Sequence, residues 1–447
     1  MAQIIITTKY GQIEGIREEG CIVFKGIPYA KPPIGDLRFA APVEPEAFKG
    51  IYKADYFGNR CPQTQRDFPQ DIYKKEFYSE PVYATPISED SLSLNIWVPD
   101  KVCEGKLPVA FYIHGGAFLG GTGHEVEFRT NAYAQRNVIL ITINYRLGLL
   151  GFFAHPWVYG EDAIACGNYA VLDQIAALKW VRMNIAEFGG DPNNITIFGQ
   201  SAGAMSVQTL LSTSYTKGMF SKVIIQSAGG YPSVLQRDIS LEEGFEIGKR
   251  AVELAGISSL KELRNLSIER ILEIQESIIM ESMQAGKGLP FAPVINGHVL
   301  ENGYNWLAEN AKTHDVPTMI GSTRNDIMVN EEEIRNCNSK MKQSCIGWSF
   351  MQEKIGRVPS YVYYFRRDLP GDTSGAFHSS ELWYMFGTLK NCWRPMTDGD
   401  YELSNRMLGY WTNFMKTGNP NDGILTEWKT CSSKDTFVME LDAKLKH

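Results

Sequence analysis

An α/β fold, with a large and mostly parallel central sheet flanked by helices and interrupted by a helical insertion, is predicted by three observations. Short apolar runs such as Val109–Ile113 and Val138–Ile143 are continuous instead of alternating, as expected for strands covered on both faces. Apolar residues at 171, 172, 175, 178, 181 and 185 then form a helical stripe ahead of a new apolar run, Ile195–Phe198. Strand, crossover helix and strand make the unit of a parallel sheet. Finally, residues 234–312 carry several amphipathic helical patterns and no strong strand, which reads as a helical cap or insertion within a single domain spanning 1–447.

The elements follow in order. Ile4–Thr8, Cys21–Gly26 and Ser93–Val98 are rich in β-branched and aromatic residues, and Pro/Gly-rich connectors such as YAKPPIGDLRFAAP separate them. The long helix is expected to start after Asn168, a suitable N-cap, and to stop at Gly189-Gly190. Further strands are expected at Val223–Gln226, Thr318–Gly321, Tyr361–Phe365 and Phe437–Met439.

Composition narrows the function. Over 447 residues, 44% hydrophobic and 21% charged content excludes disordered, collagen-like and coiled-coil chains. A net charge of −7 argues against a nucleic-acid partner. No apolar run approaches the ~20 residues that span a bilayer, and the opening MAQIIITTKYGQ has no basic n-region, so no membrane and no secretory signal are expected. The eight cysteines are scattered, without a C-x-x-C pair or a neighbouring His at metal-ligand spacing. They read as reduced thiols of a cytoplasmic protein, a monomer or homodimer, with no metal site and no cofactor.

Gly199-Gln200-Ser201-Ala202-Gly203 fits G-x-S-x-G. The string alone is weak, but a strand ends at Gly199 and a helical pattern begins at Ala202, the strand–turn–helix a nucleophile elbow needs. A serine hydroxyl needs a base to take its proton, and in this arrangement the partners follow in the order Ser, acid, His. Of the histidines after Ser201, His447 is terminal, whereas His298 and His314 precede the strand expected to carry the acid. His378, in the Gly-rich loop GDTSGAFHSSE, is left as the base. Asp326 is the only carboxylate before Glu331 in the loop after Thr318–Gly321; Asp372 and Glu381 lie too near His378 in sequence to approach it from the opposite side. As an alternative, Asn325-Asp326 suits a plain turn. Tyr112-Ile113-His114-Gly115-Gly116-Ala117-Phe118 ends strand Val109–Ile113 in a loop of small residues whose backbone N–H groups can face an oxyanion, joined by that of Ala202.

Together, YIHGGAF, NYRLG, GNYAVLDQIAALKWVRMNIAEFGGDP, FGQSAG, GSTRND and GAFHSSELWYMFGT resemble the type-B carboxylesterases, which include cholinesterases and bacterial para-nitrobenzyl esterases. The likeness runs from about residue 8 to 421. It implies the α/β-hydrolase fold, nucleophile Ser201, acid Asp326, base His378 and oxyanion donors Gly116, Ala117 and Ala202. It also implies structural ion pairs Arg38–Glu89 and Arg146–Asp173. Four departures stand out: Asp326 where the family usually has Glu, Gln200 where Glu is frequent, Ser91 where a disulfide partner of Cys61 would be, and only 52 positions between Asp326 and His378.

The expected activity is hydrolysis of small to medium, partly apolar carboxylic esters through an acyl-enzyme. Gln200, Phe118, Trp383 and Phe386 are candidates for substrate binding, with core packing an equal alternative for the aromatic ones. A non-catalytic adhesion protein of the same fold, or an amidase or peptidase using the same triad, are the competing readings.

Overall fold

The computed structural model describes residues 4–64, 72–78, 85–101 and 103–443; His447 lies outside them. Its main sheet contains β1 (Ile4–Thr8), β2 (Gly11–Glu18), β3 (Cys21–Pro28), β4 (Ile51–Lys53), β5 (Ser93–Pro99), β6 (Leu107–Ile113), β7 (Ile139–Ile143), β8 (Gly190–Gln200) and β9 (Lys222–Gln226). After a separate two-residue pair, β10 (Ile239–Ser240) and β11 (Val294–Ile295), it continues with β12 (Thr318–Thr323), β13 (Tyr361–Phe365) and β14 (Met439–Leu441). The order is β1-β2-β3-β5-β7-β6-β8-β9-β12-β13-β14, with β4 on β2. From β7 to β14 every pairing is parallel, and the N-terminal strands β1, β2, β3 and β5 join antiparallel.

Both sheet faces are covered, which explains the uninterrupted apolar runs. Val109, Phe111 and Ile113 of β6 enter one core, whereas Ala110 and Tyr112 enter the other. The helices used below are α1 (Ile72–Phe77), α2 (Tyr169–Asn184), α3 (Ala202–Ser212), α4 (Leu241–Ala255), α5 (Ile268–Gln284), α6 (Lys340–Lys354), α7 (Leu382–Phe386) and α8 (Asp398–Thr417). Helices α2 and α3 supply the first core; α7 and α8 supply the second. No described helix is long and apolar enough to cross a membrane.

Several details differ from the sequence reading. The interval 234–312 holds α4 and α5 together with the parallel pair β10–β11, so it is not free of strand. Asn168 stands at the start of α2 without capping it by its side chain. Its amide instead makes two hydrogen bonds, both 2.9 Å, with the backbone of Val294 in β11. The final strand begins at Met439, two residues later than expected, because Phe437 is held in a turn by the Asp435 carbonyl. The ion pairs are present and buried: Arg38 reaches Glu89 at 2.7 and 2.5 Å, and Arg146 reaches Asp173 at 2.8 and 2.7 Å. The Cys61 thiol lies beside the Ser91 hydroxyl.

Candidate active site

Ser201 sits where β8 turns into α3, with φ 58° and ψ −125°, a backbone conformation that L residues rarely adopt. Crowding enforces it. A Cβ on Gly199 would lie 2.5 Å from the Gly203 carbonyl carbon, and one on Gly203 would run into the Ile113 carbonyl oxygen. Two backbone hydrogen bonds fix the turn, from Ser201 N–H to Gln226 O (2.9 Å) and from Met205 N–H to Ser201 O (3.0 Å).

Asp326 and His378 come from the loops that follow β12 and β13, two paired parallel strands. The loops are tied to each other: Asn325 and Phe377 form an isolated parallel bridge, and Asn325 N–H donates to Ala376 O (2.9 Å). This brings His378 Nδ1 to 2.5 Å from Asp326 Oδ1, both side chains being almost fully buried. Thr323 and Ile327 N–H groups donate to the same carboxylate at 3.1 and 2.8 Å. Burial alone would raise the Asp326 pKa, but the charge and hydrogen bond of His378 and the backbone donor lower it overall, so it is a carboxylate.

With Nδ1 on Asp326, Nε2 is the ring nitrogen turned away from the carboxylate. It meets the side-chain nitrogen of Gln200 at 3.2 Å. Among the described residues no hydrogen bond joins the Ser201 hydroxyl to the ring. Gln200, expected at the substrate, is thus placed against the His378 ring.

Gly116 and Ala117 turn through positive φ, 101° and 58°. Among the described residues no backbone hydrogen bond uses either N–H. Ala202 opens α3, where N–H groups have no acceptor within the helix. His114 is buried, stacks on Tyr145 at 4.5 Å, and bonds its Nδ1 to Gly115 O (2.8 Å). Desolvation pushes its pKa down to about 4, which keeps it neutral and structural.

The aromatic candidates divide. Phe118 adjoins the Gly116-Ala117 turn and packs 5.0 Å from Phe152. Phe386 lies in the core against Tyr112, Phe128, Tyr133 and Phe198, and Trp383 stacks on Phe77 with its indole N–H on Glu76. The structure therefore spends these last two rings on packing, since both have no exposed surface with which to meet a ligand.

Sequence reasoning set aside Glu381, and the structure returns it to the site. It is fully buried three residues after His378, across a turn in which Ser379 has φ 76°, and accepts from Gln226 at 3.4 Å, while its second oxygen lacks a partner among the described residues. Burial, reinforced by the charge of Asp326, pushes it up to about 7. No periodic signal in the sequence marks it, because the chain between His378 and Glu381 is a non-helical turn through Ser379 at φ 76°.

Comparison with known proteins agrees with this architecture. The model of the carboxylesterase family matches residues 2–352 and 345–447. The para-nitrobenzyl esterase of Bacillus subtilis (strain 168) is 32% identical, covering 100% of this chain and 96% of its own. Carboxylesterase 4A of Bos taurus is 29% identical over 97% of this chain and 90% of its own. A solved thermophilic para-nitrobenzyl esterase superposes with a TM-score of 0.86 at 30% identity, over 99% and 96% of the two chains. With the family model spanning nearly every residue and the α/β-hydrolase sheet in place, the chain belongs to the carboxylesterase family.

Proposed function

We propose that this enzyme hydrolyses small to medium, partly apolar carboxylic esters, with Ser201 as nucleophile, His378 as base and Asp326 as the acid behind it. The observation that carries the reading is the 2.5 Å contact of His378 Nδ1 with Asp326 beside a serine held at φ 58°. His378 Nε2 takes the Ser201 proton as Oγ bonds to the acyl carbon, and the oxyanion receives N–H groups of Gly116, Ala117 and Ala202. The protonated ring then delivers its proton to the departing alkoxide. Water, deprotonated by the same ring, releases the acid from Ser201. Catalytic hydrogen bonds often tighten only with substrate bound, so the Gln200 amide yields its place on Nε2 to the serine hydroxyl at that stage.

The reaction calls for no metal or organic cofactor. Phe118, beside the oxyanion turn, is itself buried against Phe152 and supports that turn by packing. The reading extends to a cytoplasmic enzyme acting as a monomer or homodimer, supported for the compartment by eight unpaired cysteines. Ser201→Ala is expected to abolish both turnover of para-nitrophenyl acetate and covalent labelling by a fluorophosphonate. Retention of most of the activity would remove Ser201 from the mechanism.

A further inference from the structure

The residue before the candidate base is gripped from outside the site. Phe377 is buried, with the Tyr73 ring of α1 edge-on at 6.4 Å and the Arg394 guanidinium 5.2 Å from its centroid. The Arg394 side chain has no exposed surface and lies between two carboxylates. Its Nε donates to both oxygens of Glu76 on α1, at 3.0 Å each. Its Nη1 and Nη2 donate to the two oxygens of Asp372 at 2.9 and 3.0 Å, and Nη1 also reaches Pro370 O at 3.0 Å. Glu76 further accepts from the indoles of Trp383 and Trp393, both at 2.9 Å, and from the Cys392 thiol at 3.3 Å. Asp372 receives Ser374 N–H at 3.0 Å, and its bonds to Arg394 hold it down at about 2.

Stability does not by itself account for such a cluster. Desolvating three charges offsets most of their mutual attraction, and apolar groups of equal volume often serve as well. What a guanidinium supplies, and an apolar cluster does not, is a planar fork that meets Asp372 with two parallel N–H bonds while its Nε–H is shared by the two oxygens of Glu76. Here that geometry fixes the stretch 370–377, which leads directly into His378. The same stretch is also tied to Asn325, through the Asn325–Phe377 bridge and hydrogen bonds from Asn325 N–H to Ala376 O and from Ala376 N–H to the Asn325 side-chain oxygen.

We propose that Arg394 is a positioning residue for His378: by joining Glu76 on α1 to Asp372 in the base loop, it holds Phe377 in place and thereby the ring on Asp326. The proposal rests on His378 being the base. Small misplacement of a reacting group costs up to about 10²-fold in rate, so the clamp is read in kcat.

The decisive variant is Asp372→Ala, because Asp372 is 30% exposed and Arg394 keeps Glu76 as partner, so no charge is left buried alone. We expect kcat on para-nitrophenyl acetate to fall roughly tenfold, with KM within about twofold. The acidic limb of the kcat/KM profile should move to lower pH, since a loosened Asp326 stabilises the imidazolium less. Arg394→Lys, whose ammonium cannot reproduce the fork on Asp372 while holding Glu76, should lower kcat and move the acidic limb in the same directions. Should Arg394→Lys fail to fold, Asp372→Ala alone decides. A lowered Tm with unchanged kcat and unchanged acidic limb in Asp372→Ala would overturn the proposal and leave the cluster a structural one. Full activity of Ser201→Ala would instead overturn the catalytic reading, and fluorophosphonate labelling of Asp372→Ala at one equivalent per chain but at a slower rate separates the two failures.

Discussion

The turn that carries Ser201 and the loop that carries His378 reach the same rim by different means. At the first, main-chain atoms press on main-chain atoms: Gly199, Gly203 and the Ile113 carbonyl leave no room for a Cβ, and the serine backbone is forced to φ 58°. At the second, the chain is led by side chains, with Asn325 on one flank and the Glu76–Arg394–Asp372 cluster on the other. A geometry set by backbone crowding demands particular small residues at fixed spacing. A geometry set by side chains can draw its parts from anywhere, here from positions 76, 325, 372 and 394.

The sharpest way to break the comparison is at the contact between the loops. Asp326→Asn should keep the fold but lower kcat by roughly 10⁴-fold, because the amide favours the tautomer with its proton on the wrong ring nitrogen. Steady-state turnover with Tm as control measures it, and a loss under about tenfold would remove Asp326 from its role.

Next comes the backbone-built side. Gly203→Ala must push the new methyl into the Ile113 carbonyl, so either β6 or the turn gives way. We expect a stability loss of about 3 kcal/mol or more, read by denaturant unfolding, with fluorophosphonate labelling lost even where folded protein is recovered. Normal labelling and stability would show that the turn is softer than its contacts imply.

The smallest effect concerns Glu381 and is a matter of pH. With the group at about 7 in the folded protein and ~4.3 in an unfolded chain, the native state retains a proton that the unfolded state has released between those values. Stability therefore declines as pH rises through that window and levels off above it. Glu381→Gln still accepts from Gln226 and removes the decline. It should be more stable than the parent by up to about 3 kcal/mol at pH 8, the difference fading below about pH 4. Parallel unfolding curves across that range would place Glu381 in contact with a compensating cation.

The same contrast explains what could be read in advance. Parallel strands covered on two faces leave continuous apolar runs, so β6, β7, β8, β9, β12 and β13 are visible in the chain. β2, GQIEGIRE, is masked by glycine and charge because it belongs to the half-exposed antiparallel flank. The elbow is legible because sterics dictate its glycines. Glu381 was set aside as a partner of His378, and it does bond Gln226 instead of the ring; its burial is set by the long-range packing around β9 and has no local pattern. Trp383 and Phe386 carry the same composition signal whether they line a pocket or fill a core, and only their neighbours decide. The Glu76–Arg394 contact spans 318 positions and has no local pattern at all.

For anyone diversifying this chain toward new acyl groups, the crowded turn at 199–203 sets a practical boundary. Libraries that randomise Gly199 or Gly203 will consist largely of unfolded clones, because no side chain, however chosen, fits where oxygen and carbon of the main chain already stand. Variation is better directed to residues whose neighbours are side chains, which can repack around a newcomer while Ser201 keeps its pose.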